Sequence, residues 1–229
     1  MDQHELIEVF DRHAEGYDQQ WATMAPIRDA LHLLVESSLL ALPADARVLG
    51  VGVGTGVELG HLARRFPSWQ LTAVEPSSAM LDLCRRRAER EGFADRCTFH
   101  HGYLATLPDG PGHHAATSFL VSQFLLDRDA RVAYVAGIAE RLRSGGVLVS
   151  ADLSADVESF EPLLRTWLTV MAGPDVSEER IDAARAAYAR DVAIRPPAEV
   201  ASIIEDGGFD PPVLLFQAGL LHAWRASKA

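Results

Sequence analysis

The chain has 229 residues, 48% of them hydrophobic, and a formal net charge of −11. That length can bury a full core without disulfides or a structural metal, and Cys84 and Cys97 alone are too few for a secreted disulfide scaffold. The acidic balance argues against binding along a nucleic-acid backbone, which relies on Lys and Arg. No apolar run reaches membrane-spanning length, and Met1-Asp2-Gln3-His4-Glu5 is too polar for a signal peptide, so a cytoplasmic protein with reduced thiols is expected.

In chain order, Leu6, Val9, Phe10 and His13 fall on one side of a helix over about 2–13. Pro26 opens a second helix, which carries Ile27, Ala30, Leu31, Leu34 and Val35. A strand near 47–52 runs into a loop with glycine at every second position: Gly50, Gly52, Gly54 and Gly56. Leu59, Leu62, Ala63 and Phe66 then recur at helical spacing, and a second strand near 69–75 ends on Glu75. Ser77 can cap the next helix, which runs to Gly92. Cys97 to His101 reads as a third strand and Ala115 to Ser122 as a fourth, buried on both faces. A helix over 129–143 turns Val135, Ile138, Ala139 and Leu142 inward, Ser144-Gly145-Gly146 ends it, and Val147 to Ala151 forms a fifth strand. The alternation of strand and helix signals a parallel sheet covered on both faces.

Beyond Asp152 the pattern changes. Phe160, Leu163, Leu164, Trp167, Leu168 and Met171 mark an amphipathic helix that ends at Gly173-Pro174. An alanine-rich helix follows from about Ser177 to Arg190, and Pro197 starts a short one that stops at Gly207-Gly208. Strands near 213–218 and 220–226 are joined by so few residues that they must pair antiparallel.

The glycine spacing bears on the ligand. A dinucleotide fingerprint needs G-x-G-x-x-G, and a P-loop needs Gly-Lys-Ser/Thr; Gly52, Gly54 and Gly56 give G-x-G-x-G instead. With the acid Glu75 placed 19 residues beyond Gly56, and Pro76-Ser77-Ser78-Ala79-Met80 after it, the chain resembles the class I S-adenosylmethionine-dependent methyltransferases. The resemblance covers roughly 45–226 and implies a Rossmann-like, doubly wound, mostly parallel seven-stranded sheet with an antiparallel last strand. It also implies an N-terminal helical cap over 1–44 and a core over 45–229 with a helical lid inserted at about 155–195.

The resemblance implies a site as well. Gly52, Val53, Gly54 and Gly56 would wrap the methionine part of S-adenosylmethionine, leaving S-adenosylhomocysteine as product. Glu75 would accept from the ribose hydroxyls, with Pro76 beside it. Met80, Gly102, Tyr103 and Leu104 would surround the adenine, and Val121 and Ser122 would face the emerging methyl group. The family often carries an acid at position 50, which helps to hold the cofactor's amino group; Gly50 stands there, and Glu58 is the candidate substitute. The family also commonly places an Asp where Tyr103 stands.

Phe10-Asp11-Arg12-His13-Ala14-Glu15-Gly16-Tyr17-Asp18 resembles the segment that closes over the cofactor in small-molecule methyltransferases. Tyr17, His13 and Asp152 are the candidate catalytic groups, with Tyr188 and His222 behind them. The expected reaction is methyl transfer to O, N or S of a small, apolar or aromatic acceptor, by a monomer or homodimer. A tRNA-modification enzyme with a similar core and a non-catalytic S-adenosylmethionine-binding scaffold are the alternatives. Adjacent histidines on a strand point to opposite faces, so His100-His101 and His113-His114 make poor chelates and no metal is expected.

Overall fold

The computed structural model describes residues 3–229; position 2, where the first helix is expected to begin, lies outside that range. One sheet organises the chain. Its strands are β1 (Arg47–Val51), β2 (Gln70–Glu75), β3 (Cys97–His101), β4 (His113–Phe119), β5 (Leu142–Leu153), β6 (Val213–Ala218) and β7 (Leu221–Ser227). They lie in the order β3-β2-β1-β4-β5-β7-β6. The first five are parallel, and β7 runs antiparallel to both β5 and β6. Strand order reverses between β1 and β4, which opens a crevice at the carboxyl edge of the sheet.

Helices α1 (Gln3–His13), α2 (Tyr17–Gln20) and α3 (Ala25–Leu39) precede the sheet, and α4 (Val57–Arg65), α5 (Ser78–Glu91) and α6 (Arg128–Arg141) cross between strands. Helices α7 (Val157–Ala172), α8 (Glu178–Asp191) and α9 (Pro197–Asp206) fill the stretch between β5 and β6. Alternate residues of each strand feed opposite faces. On β1, Val48 joins Leu31, Val35 and Leu39 of α3 together with Trp167 of α7, while Leu49 joins Ile138 of α6 and Ile203 of α9.

Two boundaries differ from the expectation. The fourth strand ends at Phe119 rather than Ser122, because Leu120 turns the chain with φ +59° and Ser122–Phe124 form a 3-10 turn. The fifth strand begins at Leu142 rather than Val147. Leu142 pairs with His113 next to a register shift, so its backbone belongs to the sheet although its side chain stays inward. No helix among the described residues is long and apolar enough to cross a membrane.

Candidate functional site

The glycine loop and Glu75 hold one another. Gly54 N–H donates to Glu75 Oε2 at 2.9 Å, and Ser77 N–H donates to Oε1 at 2.9 Å. Gly52 N–H donates to the Val74 carbonyl at 2.8 Å, which fixes the loop over the end of β2. Glu75 is only 6% exposed, and burial raises its pKa against the two amide donors that lower it. Each carboxylate oxygen keeps a further lone-pair direction for a ligand hydroxyl. At Gly52 a Cβ would sit 2.3 Å from Val121 Cγ2, so no side chain fits. At Gly54, φ is +53° and a Cβ would meet nothing within 4 Å, so the turn needs glycine while the space beside it stays open.

Two cavities meet across this loop. A cleft of about 220 Å³ is lined by Gly52, Gly54, Glu75, Pro76, Met80, Gly102, Tyr103, Leu104 and Val121, nine of the residues expected to hold the cofactor. A second cavity, of about 200 Å³, takes Val53 and Glu58 and is walled by Trp21, Met24, Leu31, His32 and Trp167. Tyr17, Gly52, Gly54, Phe119 and Leu120 line both. Burial, Glu75 and Asp18 push the Tyr17 phenol up to about 12, so at neutral pH it remains protonated. Leu120, the one described non-glycine residue at positive φ, is thus a strained residue at the junction.

The N-terminal segment is tied across the cleft by two aspartates. Asp11 Oδ1 accepts from Ser77 Oγ–H at 2.6 Å and from Ala79 N–H at 3.1 Å, at the N-terminus of α5. Asp18 accepts from Thr55 Oγ1–H at 2.6 Å and pairs with Arg87, which also donates to the Thr55 carbonyl. Phe10 lies edge-on to Phe124 at 5.7 Å and to Tyr17 at 6.3 Å between ring centres. The arginine run on α5 is therefore partly a fastening: Arg86 pairs with Glu15 and Arg87 with Asp18.

Several expected site residues lie elsewhere. His13 is exposed, bonds the Val9 carbonyl of its own helix at 2.7 Å and reaches neither cavity. Asp152 is buried against Arg131 at 3.1 Å and accepts from Ser122 Oγ–H and Gln123 N–H, so this strand-end carboxylate braces β5 against the end of β4. Ser122 is consumed by the same network, since Arg131 also donates to its hydroxyl at 2.9 Å. Gly56 lines neither cavity; a Cβ there would lie 2.5 Å from Cys84 Sγ, so its glycine serves the packing of α4 on α5. Tyr188 accepts from Trp167 Nε1–H at 3.2 Å, and the buried His222 bonds the Leu220 carbonyl at 3.0 Å. The sequence reading missed His32, whose ring lies in the second cavity 5.0 Å from that of His61. Burial first, and His61 second, push His32 down to about 4, so it is neutral at pH 7. Nothing local distinguishes it from the chain's eight other histidines.

The segment 48–146 matches the model of the methyltransferase domain family. That segment of the chain is similar to a methyltransferase domain. A demethylmenaquinone methyltransferase from Tropheryma whipplei is 26% identical over 166 residues, covering 72% of this chain and 65% of that protein. A malonyl-[acyl-carrier protein] O-methyltransferase from Laribacter hongkongensis is 31% identical over 153 residues, covering 64% of this chain and 50% of that one. The chain spans from 24% to 65% of the length of the curated relatives it matches. Among solved structures, human N-acetylserotonin methyltransferase in complex with S-adenosylmethionine superposes with a TM-score of 0.66 at 12% identity, over 97% of this chain and 56% of that chain. The cleft suits an adenosyl ligand: a buried carboxylate with free lone pairs stands beside a bare glycine backbone and apolar walls at Met80 and Leu104.

Proposed function

We propose that this protein transfers a methyl group from S-adenosylmethionine to a small, apolar or aromatic acceptor seated in the second cavity. The observation that carries this reading is the junction itself. The cleft built around Glu75 and the apolar cavity behind it share Gly52, Gly54, Tyr17, Phe119 and Leu120, so a ligand in each would meet there. The methyltransferase-named relatives support the reaction class.

S-adenosylmethionine, when bound, supplies a methyl group already activated on a sulfonium. The chain's task is then to align the acceptor and keep out water. Glu75 would take the ribose hydroxyls, Met80 and Leu104 would flank the adenine with Tyr103 across its outer edge, and the Gly52-Val53-Gly54 backbone would run beside the methionine portion. Tyr17 lines both cavities, so its ring would stand near a cation at the junction. Trp21, Met24, Leu31 and Trp167 favour an acceptor with a large apolar face, and α7 would cover it through Trp167. His32 stays neutral at working pH and so can accept a hydrogen bond from a polar acceptor group, although its lowered pKa makes it a weak base.

The test is turnover of methyl-labelled S-adenosylmethionine with phenols, thiols and ring nitrogen compounds, followed by S-adenosylhomocysteine release and label on the acceptor. Labelled product supports the reading. Tight cofactor binding without turnover across the panel would favour a non-catalytic binding protein.

A further inference from the structure

The end of β1 is filled by apolar side chains. A Cβ at Gly50 would lie 2.6 Å from Val53 Cγ1 and 3.1 Å from Leu59 Cδ2, so a side chain there would have to displace both. In the sheet, Gly50 pairs with Thr117 of β4. The Glu58 carboxyl, carried on the first turn of α4, comes up against the Thr117 hydroxyl, beside the place on the sheet that an acid at position 50 would have served. Apart from that contact with each other, neither Glu58 Oε1 nor Thr117 Oγ1, both buried, has a hydrogen-bond partner among the described residues. Glu58 lines the second cavity beside the loop residues Gly52, Val53, Gly54 and Thr55, so the methionine portion would enter that side of it and leave the acceptor the side formed by Trp21, Leu31 and Trp167.

We propose that Glu58 receives the α-ammonium group of the cofactor's methionine portion, supplying from α4 the carboxylate that β1 lacks. The assignment rests on the S-adenosylmethionine reading above. A buried carboxylate with only a neutral hydroxyl beside it is costly, and an incoming cation that can donate to it offsets the cost. The other ionisable groups around the cavity do not supply that cation. Asp18 is an acid held by Thr55 and Arg87, Arg28 pairs with Asp29, and Tyr17 and His32 are neutral at pH 7. Burial accordingly lifts Glu58 to about 7, with Thr117 lowering it in part. Receiving an ammonium requires the ionised form, so affinity must fall as pH drops below 7.

Calorimetric titration with S-adenosylhomocysteine and with 5′-methylthioadenosine tests this. The second ligand keeps the adenosine and sulfur but has no ammonium. Glu58→Gln should weaken S-adenosylhomocysteine about tenfold or more at pH 8, the loss expected of a hydrogen bond to a charged group, and leave 5′-methylthioadenosine within about twofold. In the unaltered protein, S-adenosylhomocysteine should weaken from pH 8 to 6 more steeply than 5′-methylthioadenosine, and Glu58→Gln should abolish the difference. Unchanged S-adenosylhomocysteine affinity in the variant, or an equal loss for both ligands, overturns the assignment while leaving the cofactor reading intact. Failure of the unaltered protein to bind either ligand removes the cofactor reading itself.

Discussion

Replacing Glu58 with glutamine should stabilise the ligand-free protein at alkaline pH. The carboxyl sits where burial raises its pKa from 4.5 to about 7. At about 1.4 kcal/mol per tenfold change in proton affinity, ionising it in the folded state costs about 3 kcal/mol more than in the unfolded chain. The sign follows from the direction of the shift. Below pH 4.5 both states are protonated and the folded state bears no penalty; between 4.5 and 7 the unfolded chain ionises first and stability falls; above 7 the full penalty applies. Glutamine keeps the shape and cannot ionise. Thermal unfolding of the two proteins at pH 5 and pH 8 reads the difference: near equality at pH 5, and a gain for Glu58→Gln of roughly 5–10 °C at pH 8. A melting temperature at pH 8 equal to or below that of the unaltered protein would refute the reasoning, because it would show that the carboxylate already has a compensating partner.

Other perturbations follow from the same geometry. Arg131→Ala leaves the Asp152 carboxylate buried without its cation, and urea unfolding should show a loss of about 3–5 kcal/mol; the double change Arg131→Met, Asp152→Asn should recover much of it. Asp11→Ala removes the acceptor shared by Ser77 and Ala79, worth about 1–2 kcal/mol. It should speed limited proteolysis before Ala25 while the sheet stays protected. Trp167→Ala should cost about 3–5 kcal/mol in thermal or chemical unfolding, since it empties a buried indole. The same change should enlarge the second cavity, and an acceptor panel should then shift toward bulkier compounds.

The first βαβ unit was legible because its physics is local. A strand that must turn tightly and expose its backbone needs glycine at fixed spacing, and a buried acid at the next strand end shows as a charged residue closing an apolar run. Glu75 and Asp152 share that appearance, yet their roles diverge: Glu75 faces amide donors and the cleft, while Asp152 meets a buried arginine carried on α6. Strand-end pattern alone does not say which partner arrives from elsewhere in the chain. For the same reason the fastening by Asp11 and Asp18 was hidden, since their partners lie 66 and 37 residues away. The true end of β4 was hidden because the apolar run continues through Leu120 and Val121, and only the positive φ of Leu120 turns it into the cleft. The departure at Gly50 was visible as a gap in a pattern; its reason, the close approach of Val53 and Leu59, is a packing fact that required the fold.

The central claim is that Glu75 and the glycine loop form an adenosyl site. Calorimetric titration of the protein and of Glu75→Ala with S-adenosylmethionine tests it most directly. The account predicts one site per chain with micromolar affinity, weakened at least about tenfold in the variant by loss of charge-assisted ribose contacts. An unaltered protein that does not bind, or a folded Glu75→Ala variant that binds equally well, would contradict it.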